Sequence, residues 1–290
     1  MDGIPQVRSF NRTVTQRVGA LDSHFLGRAR SLGASRVLFE IGAQGCDVRQ
    51  LRARLDLDSG YMSRLLRGLE RERLIRTAPS ARDARVREVT LTRAGRRELA
   101  VLNRLSDQVA RSVLAPLSET QRTALVSAMG SVERLFRASA VRLQVVNPRT
   151  RGAGYCLEQY FAELAVRFDA GFDPTRGISA NADELTPPRG YFVLATLHGE
   201  PVGCGALKCH RAFGEVKRMW VAQSSRGLGI GWRILGRLEE LARRRRIPLL
   251  RLETNKSLKE AQALYRANGY REVQAFNDEP YAHHWFEKRL

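Results

Sequence analysis

The chain has 290 residues, 43% apolar and 27% charged, a composition suited to two folded domains and without an apolar run of the roughly 18 residues that crosses a bilayer. Its four cysteines (Cys46, Cys156, Cys204, Cys209) form no disulfide framework, and the N-terminus has no signal-peptide pattern, so the expected location is the cytoplasm, with no membrane partner. The net charge of +19 is uneven: residues 49–97 hold 14 Arg against 6 acidic residues, a clustering that fits a phosphate-backbone footprint.

Residues 5–30 space Val14, Val18, Leu21 and Phe25 at helical intervals and predict one long helix. A short helix follows at 35–41, closed by Gly42 and Gly45. Leu51 and Leu55 mark another, and Asp58 is placed to cap a helix whose apolar stripe is Met62, Leu65, Leu66 and Leu69. That stripe leaves Ser59, Tyr61, Ser63, Arg64 and Arg67 on the other faces, as in a helix-turn-helix. Strand-like segments at 74–77 and 86–91 flank a charged tip, which reads as a wing. Two long amphipathic helices are expected at 94–113 and 118–143. The second opens with Ser118 and Gln121 in capping-box spacing. With the first helix they suggest a dimerisation layer.

Pro and Gly in 147–154 predict a linker, dividing the chain into domains 1–146 and 155–290. Beyond it a helix at 157–168 precedes strands at 191–197, 202–207 and 215–221. A helix at 231–245, a strand at 249–254, a helix at 258–268 and a strand at 283–287 complete the pattern. Alternating strands and helices after an antiparallel start indicate an α/β domain with a mixed central sheet.

The sharpest motif lies between the strand ending at Val221 and the helix after it. Arg226, Gly227, Leu228, Gly229, Ile230 and Gly231 form a glycine-rich turn opening a helix, where backbone N–H groups favour a pyrophosphate. The spacing fits neither the dinucleotide-binding fingerprint nor a P-loop. It resembles the acyl-CoA motif of the GNAT family of N-acetyltransferases, and the downstream strand, Asn255 and the helix carrying Tyr265 resemble that family's second half-site. The resemblance implies acetyl-CoA as cosubstrate and an amine acceptor, either a small molecule or a protein lysine. It further implies backbone contacts from Met219, Trp220 and Val221, a contact from Asn255, and Tyr265 near the thioester sulfur. Glu215 stands where several relatives place a general base.

The chemistry suits these residue types. An alkylamine with a pKa near 10.4 needs a proton acceptor before it can attack, and a tyrosine with a pKa of about 10 keeps a proton for a leaving thiolate. Cys204, Cys209, His210, His283 and His284 lack zinc-ligand spacing, so no metal is expected. Residues 155–190 should shape the acceptor pocket.

The first half resembles MarR-family regulators over roughly residues 10–143, through the helix-turn-helix, a wing containing Asp83 and Arg85, and the segment VTLTRAGR. That resemblance implies a homodimer on double-stranded DNA, with Ser59, Tyr61, Ser63, Arg64 and Arg67 in the major groove and Arg82, Arg85 and Arg87 at the wing. The expected fold is therefore a mainly α winged helix-turn-helix domain with dimerisation helices, followed by an α/β GNAT domain. Three readings compete: an active enzyme joined to a transcriptional regulator, a regulator that senses acetyl-CoA without turnover, and an enzyme using the winged helix only as a scaffold.

Overall fold

The computed structural model describes residues 3–21, 24–80, 86–169, 171–178 and 180–290. The chain divides into two compact units, residues 1–129 and 130–290. Among the described residues no helix is long and apolar enough to cross a membrane.

In the first unit, helix α1 (Ile4–Arg17) buries none of its side chains. The helix expected over 5–30 stops here, because Gly19 turns to φ +66° and the chain resumes only as a 3-10 turn at Phe25–Gly27. Helix α2 (Leu32–Ile41) is capped by Ser31, which accepts from Ala34 N at 3.3 Å. A two-residue strand β1 (Cys46–Asp47) leads into α3 (Val48–Leu55). Asp56 at φ +50° ends α3, and Asp58 starts α4 (Ser59–Arg71) by accepting from Tyr61 N at 2.8 Å.

Strands β2 (Ile75–Pro79) and β3 (Arg87–Leu91) pair antiparallel, and β1 joins the free edge of β3. Helices α5 (Arg93–Leu114) and α6 (Glu119–Ser139) follow. Val37, Leu38, Leu51, Met62, Leu69, Val89 and Leu102 fill one core, each contributing about 1.5–3 kcal/mol by burial. Beside it the buried carboxylate of Glu98 accepts from Arg28 and Arg30, tying residues 28–30 to α5.

The capping box forms as expected: Gln121 N donates to Ser118 Oγ and Ser118 N to Gln121 Oε1. The helix expected over 118–143 ends at Ser139, however, and β4 (Val141–Val146) is a strand. It pairs along its whole length with β5 (Gly190–Leu197), so these residues belong to the second unit. Arg233 fixes this exchange by donating to the carbonyls of Ala138 and Val141, both at 2.8 Å. Residues 147–154 are accordingly the turn after β4 and the start of α7 (Arg151–Arg167) rather than a linker between domains.

Strands β6 (Glu200–Cys209) and β7 (Gly214–Val221) extend the sheet. Helix α8 (Ile230–Arg244), strand β8 (Leu249–Thr254), helix α9 (Lys259–Ala267), and strands β9 (Arg271–Val273) and β10 (His284–Arg289) complete it. The order is β4-β5-β6-β7-β8-β10-β9, antiparallel except for the β7–β8 pair. Alternate residues of β5 point to opposite faces. Val193 and Ala195 join Ile234, Leu235 and Leu238 of α8, whereas Phe192 and Leu194 join Ala153 and Cys156 of α7. The sheet is thus covered on both faces.

The parallel β7–β8 pair is what opens a site. It is registered only at Gly214 with Leu250 and Glu215 with Arg251, after which the strands part. A bulge lies beside the gap: β7 sets Arg218 and Met219 against the single residue Gly205 of β6. Gly205 is required there, because a Cβ would lie 2.6 Å from Met219 Sδ and 2.5 Å from Ile234 Cγ2. Arg218 takes φ +57°, a strained backbone for a residue with a side chain.

Candidate functional sites

Two cavities meet in the gap beyond Glu215. The larger, about 420 Å³, runs along Met219–Val221, the turn Arg226–Gly231, Trp232 and α9. The smaller, about 100 Å³, lies between Val216–Met219, Glu253–Asn255, α7 and residues 279–282. Tyr160, Leu164, Met219, Leu258, Ala261 and Tyr265 line both, so Tyr265 stands where the two communicate. Its ring is buried against Tyr270 and Phe286. Burial, with Tyr160 and Glu253 nearby, pushes its phenol well above the usual tyrosine range, so it keeps its proton through neutral pH.

The glycine turn is built to receive an anion. Gly227 and Gly229 have φ +79° and +70°, and a Cβ on either would point into open space. Gly229 is the N-cap of α8 and offers no side chain to the first-turn N–H groups, which are left for a ligand. Gly231 sits inside α8, where a Cβ would press Leu264 at 3.3 Å. Leu228 and Ile230 turn their side chains into the core and leave their backbone at the turn. Met219, Trp220 and Val221 edge the same cavity. The open cradle and free amides fit a pyrophosphate-bearing cofactor.

Three of the sequence-predicted site residues behave differently. The Arg226 guanidinium is held by both carboxylate oxygens of Glu163 on α7, at 2.6 and 2.7 Å, so it braces the turn instead of reaching freely for a phosphate. Trp220 Nε1 and Arg167 also donate to Glu163, making it a hub. Asn255 lines the smaller cavity and spends its side chain on the chain itself: Nδ2 donates to Tyr281 O at 2.8 Å and Oδ1 accepts from Ser257 N.

Glu215 lines neither cavity. It occupies the last closed register of β7–β8, where its carboxylate meets His210 Nε2 at 3.0 Å. Of the acidic residues on β7 and β8, Glu253 on β8 is the one that lines the smaller cavity. Its Oε1 is ion-paired with the buried Lys217, and its buried Oε2 has no hydrogen-bond partner among the described residues. A charged residue in the middle of the apolar strand LLRLET was the signal that would have found it.

The remaining walls come from two segments. Phe168 and Phe172 pack with Tyr281 at centroid distances of 5.7 and 4.9 Å, with Pro174 and Ile178 beside them. Glu279 joins the segments by accepting from Ile178 N at 2.6 Å. Seven residues between Tyr160 and Ile178 thus line this cavity, in company with Glu279, Tyr281 and Ala282, which sequence reasoning missed.

In the first unit, α4 turns Met62, Leu66 and Leu69 inward and exposes Ser59, Ser63, Arg64 and Arg67. Arg64 lies over the Tyr61 ring, 5.6 Å from its centroid. Tyr61 is half-buried, its hydroxyl seated on Gly33 of α2, so part of it is committed to packing. Arg87 is exposed on β3. Arg82, Asp83 and Arg85 lie outside the described residues.

The structure thus joins a winged-helix unit to an α/β unit whose split parallel strands face a glycine-rich helix start. Residues 30–86 match the MarR family, and residues 157–270 match the acetyltransferase (GNAT) family. The chain carries a MarR-family region followed by a GNAT-family region. It is 41% identical over 88 residues, 30% of this chain, to an IAA acetyltransferase of Azospirillum brasilense, and spans 58% of that relative's length. Among solved structures it is similar to a GNAT-family acetyltransferase from Staphylococcus aureus Mu50, at 19% identity and a TM-score of 0.44, covering 52% of this chain and 99% of the other. It is also similar to Escherichia coli MarR, at 18% identity and a TM-score of 0.39, covering 43% and 93%.

Proposed function

We propose that the second unit is an N-acetyltransferase that takes an acetyl group from acetyl-CoA and gives it to an amine. Tyr265 carries this reading, because with Tyr160 it brings a proton-holding hydroxyl to the wall shared by the two cavities, and it is the one that the resemblance places near the thioester sulfur. Gly227, Gly229 and the first turn of α8 hold the pyrophosphate through backbone N–H groups, and Met219–Val221 line the way inward. Acetyl-CoA supplies the acetyl group as an activated thioester. Glu253 Oε2 takes a proton from the acceptor's ammonium, freeing the nitrogen lone pair to form the C–N bond. As the C–S bond breaks, Tyr265 gives its proton to the departing sulfur and is reprotonated by the second proton that the nitrogen sheds in becoming the amide, while the proton gathered at Glu253 leaves to solvent.

The first unit, in the same reading, is a homodimeric DNA-binding domain. Exposed Ser59, Ser63, Arg64 and Arg67 suit the major groove. Ile4, Val7, Phe10 and Val14 on α1, Val18 just after it, and Val126 and Met129 on α6 are exposed apolar side chains of the kind a second copy covers. Arg82 and Arg85 keep their wing role by resemblance alone.

The test is turnover of acetyl-CoA against a panel of amines, amino acids and lysine peptides, with Tyr265→Phe beside the wild type. The variant should bind acetyl-CoA normally and turn over on the order of a hundredfold more slowly, the scale of one general acid. Because the phenol titrates above the ordinary range, the wild type should show no alkaline fall near pH ~10 from this group. A wild type that binds acetyl-CoA without consuming it would replace the enzyme by a sensor.

A further inference from the structure

The walls of the smaller cavity carry an unusual charge pattern. Lys217 and Glu253 neutralise one another, and Glu279 spends its carboxylate on Ile178 N and Tyr281 N. Arg218 is different. It lines the cavity, and among the described residues no carboxylate pairs with it; its guanidinium lies over the rings of Phe161 and Tyr160, 4.7 and 5.8 Å from their centroids. Arg218 is held in the strained bulge of β7, beside the gap. Glu253, which also lines the cavity, has in Oε2 a buried acceptor with no donor among the described residues. A buried acceptor left without a donor costs about 1–3 kcal/mol, more when charged, and a ligand that donates to it recovers that cost.

A cation without a carboxylate partner and a carboxylate with one unpartnered oxygen, both on residues of one cavity, complement a zwitterion. Phe168, Phe172, Ile178 and Tyr281 give the wall an apolar and aromatic side. We propose that the acceptor is a free amino acid with an apolar or aromatic side chain, its carboxylate on Arg218, its amine on Glu253 and its side chain among these rings. This rests on the acetyltransferase reading and narrows it. A lysine within a polypeptide offers an amine with no carboxylate nearby and leaves Arg218 unmatched. A simple amine does the same.

Phenylalanine and phenylethylamine differ by that carboxylate alone and make the decisive pair. Their affinities are measured by calorimetry on the full chain, with and without saturating CoA, for the wild type, Arg218→Met, Arg218→Lys and Glu253→Gln. The wild type should prefer phenylalanine on the order of tenfold, the scale of one charge-assisted pair. Arg218→Met should bring the ratio to about one, and Arg218→Lys, which keeps the charge without the fork, should restore part of it. Glu253→Gln should weaken both ligands and leave the ratio standing, which separates a lost amine contact from a damaged fold. A wild-type ratio near one, a lysine peptide binding more tightly than phenylalanine, or a ratio unmoved by Arg218→Met overturns the proposal. Because binding is read without turnover, failure of CoA to bind, or of acetyl transfer to occur, would sink the enzyme reading while leaving this result legible.

Discussion

The exposed face of α4 and the turn after β7 are both read as sites for phosphate-bearing ligands, yet they are made in opposite ways. On α4 the recognising atoms are at the ends of side chains: Ser59, Ser63, Arg64 and Arg67 project from a helix whose other face is locked in the core. At the turn they are backbone N–H groups, and the side chains of Leu228 and Ile230 point away into the core. The first kind of site is damaged by removing atoms, the second by adding them. Specificity follows the same division, since side chains can read base edges whereas amides read only charge and shape.

The largest effect is expected at the backbone-built site. Gly229→Val puts a β-branched side chain at φ +70° and over the amides. Among the described residues nothing lies within 4 Å of the added Cβ, so the unit should fold at the cost of local strain of about 1–2 kcal/mol. Acetyl-CoA affinity should fall on the order of a hundredfold, which combines that strain with the lost amide contacts, read by calorimetry with circular dichroism as the folding control. Unchanged affinity would mean that the turn is not the pyrophosphate site.

At the side-chain-built site, Arg64→Ala should lower affinity for a selected duplex roughly tenfold and relax preference at one base position. The parent protein should lose affinity steeply as salt rises, since phosphate neutralisation releases counterions. Fluorescence anisotropy at several salt concentrations, on selected and scrambled duplexes, checks both. An equal loss on both duplexes would make Arg64 a phosphate contact, and absence of salt dependence would break the comparison altogether.

The same contrast explains what could be read beforehand. The stripe of α4, its Asp58 cap, the capping box of Ser118 and Gln121 and the glycine turn are local patterns, and each forms in place. The features that escaped reading depend on residues distant in sequence. Residues 141–146 alternate at period two, but they follow a helical pattern directly, and only their pairing with β5 and the hold of Arg233 make them a strand. Arg226 looked free for phosphate until Glu163, 63 positions away, took its guanidinium. Glu253 and Glu215 sit on adjacent strands, and which one faces the cavity is decided by where β7 and β8 separate.

That last point yields the smallest expected effect and the clearest discrimination. Glu215 lies on the closed side of the split, buried, with its carboxylate on His210 and the imidazole stacked on Phe213 at 4.5 Å. Glu215→Gln keeps a hydrogen-bonding side chain of the same size and removes only the charge. Loss of that half-buried pairing should lower stability by about 1 kcal/mol, since the imidazole side remains partly exposed to water. Turnover should change by less than about twofold, and by the same factor across pH 6 to 9, because no proton of the reaction passes through this group. A base behaves otherwise: its removal should cost most at low pH, where nearly all the acceptor is ammonium, and progressively less as the free amine accumulates. Glu253→Gln is the variant expected to follow that course. Should Glu215→Gln instead show a large loss that shrinks with rising pH, proton removal would belong to β7, and the cavity beside Glu253 would bind the acceptor without activating it.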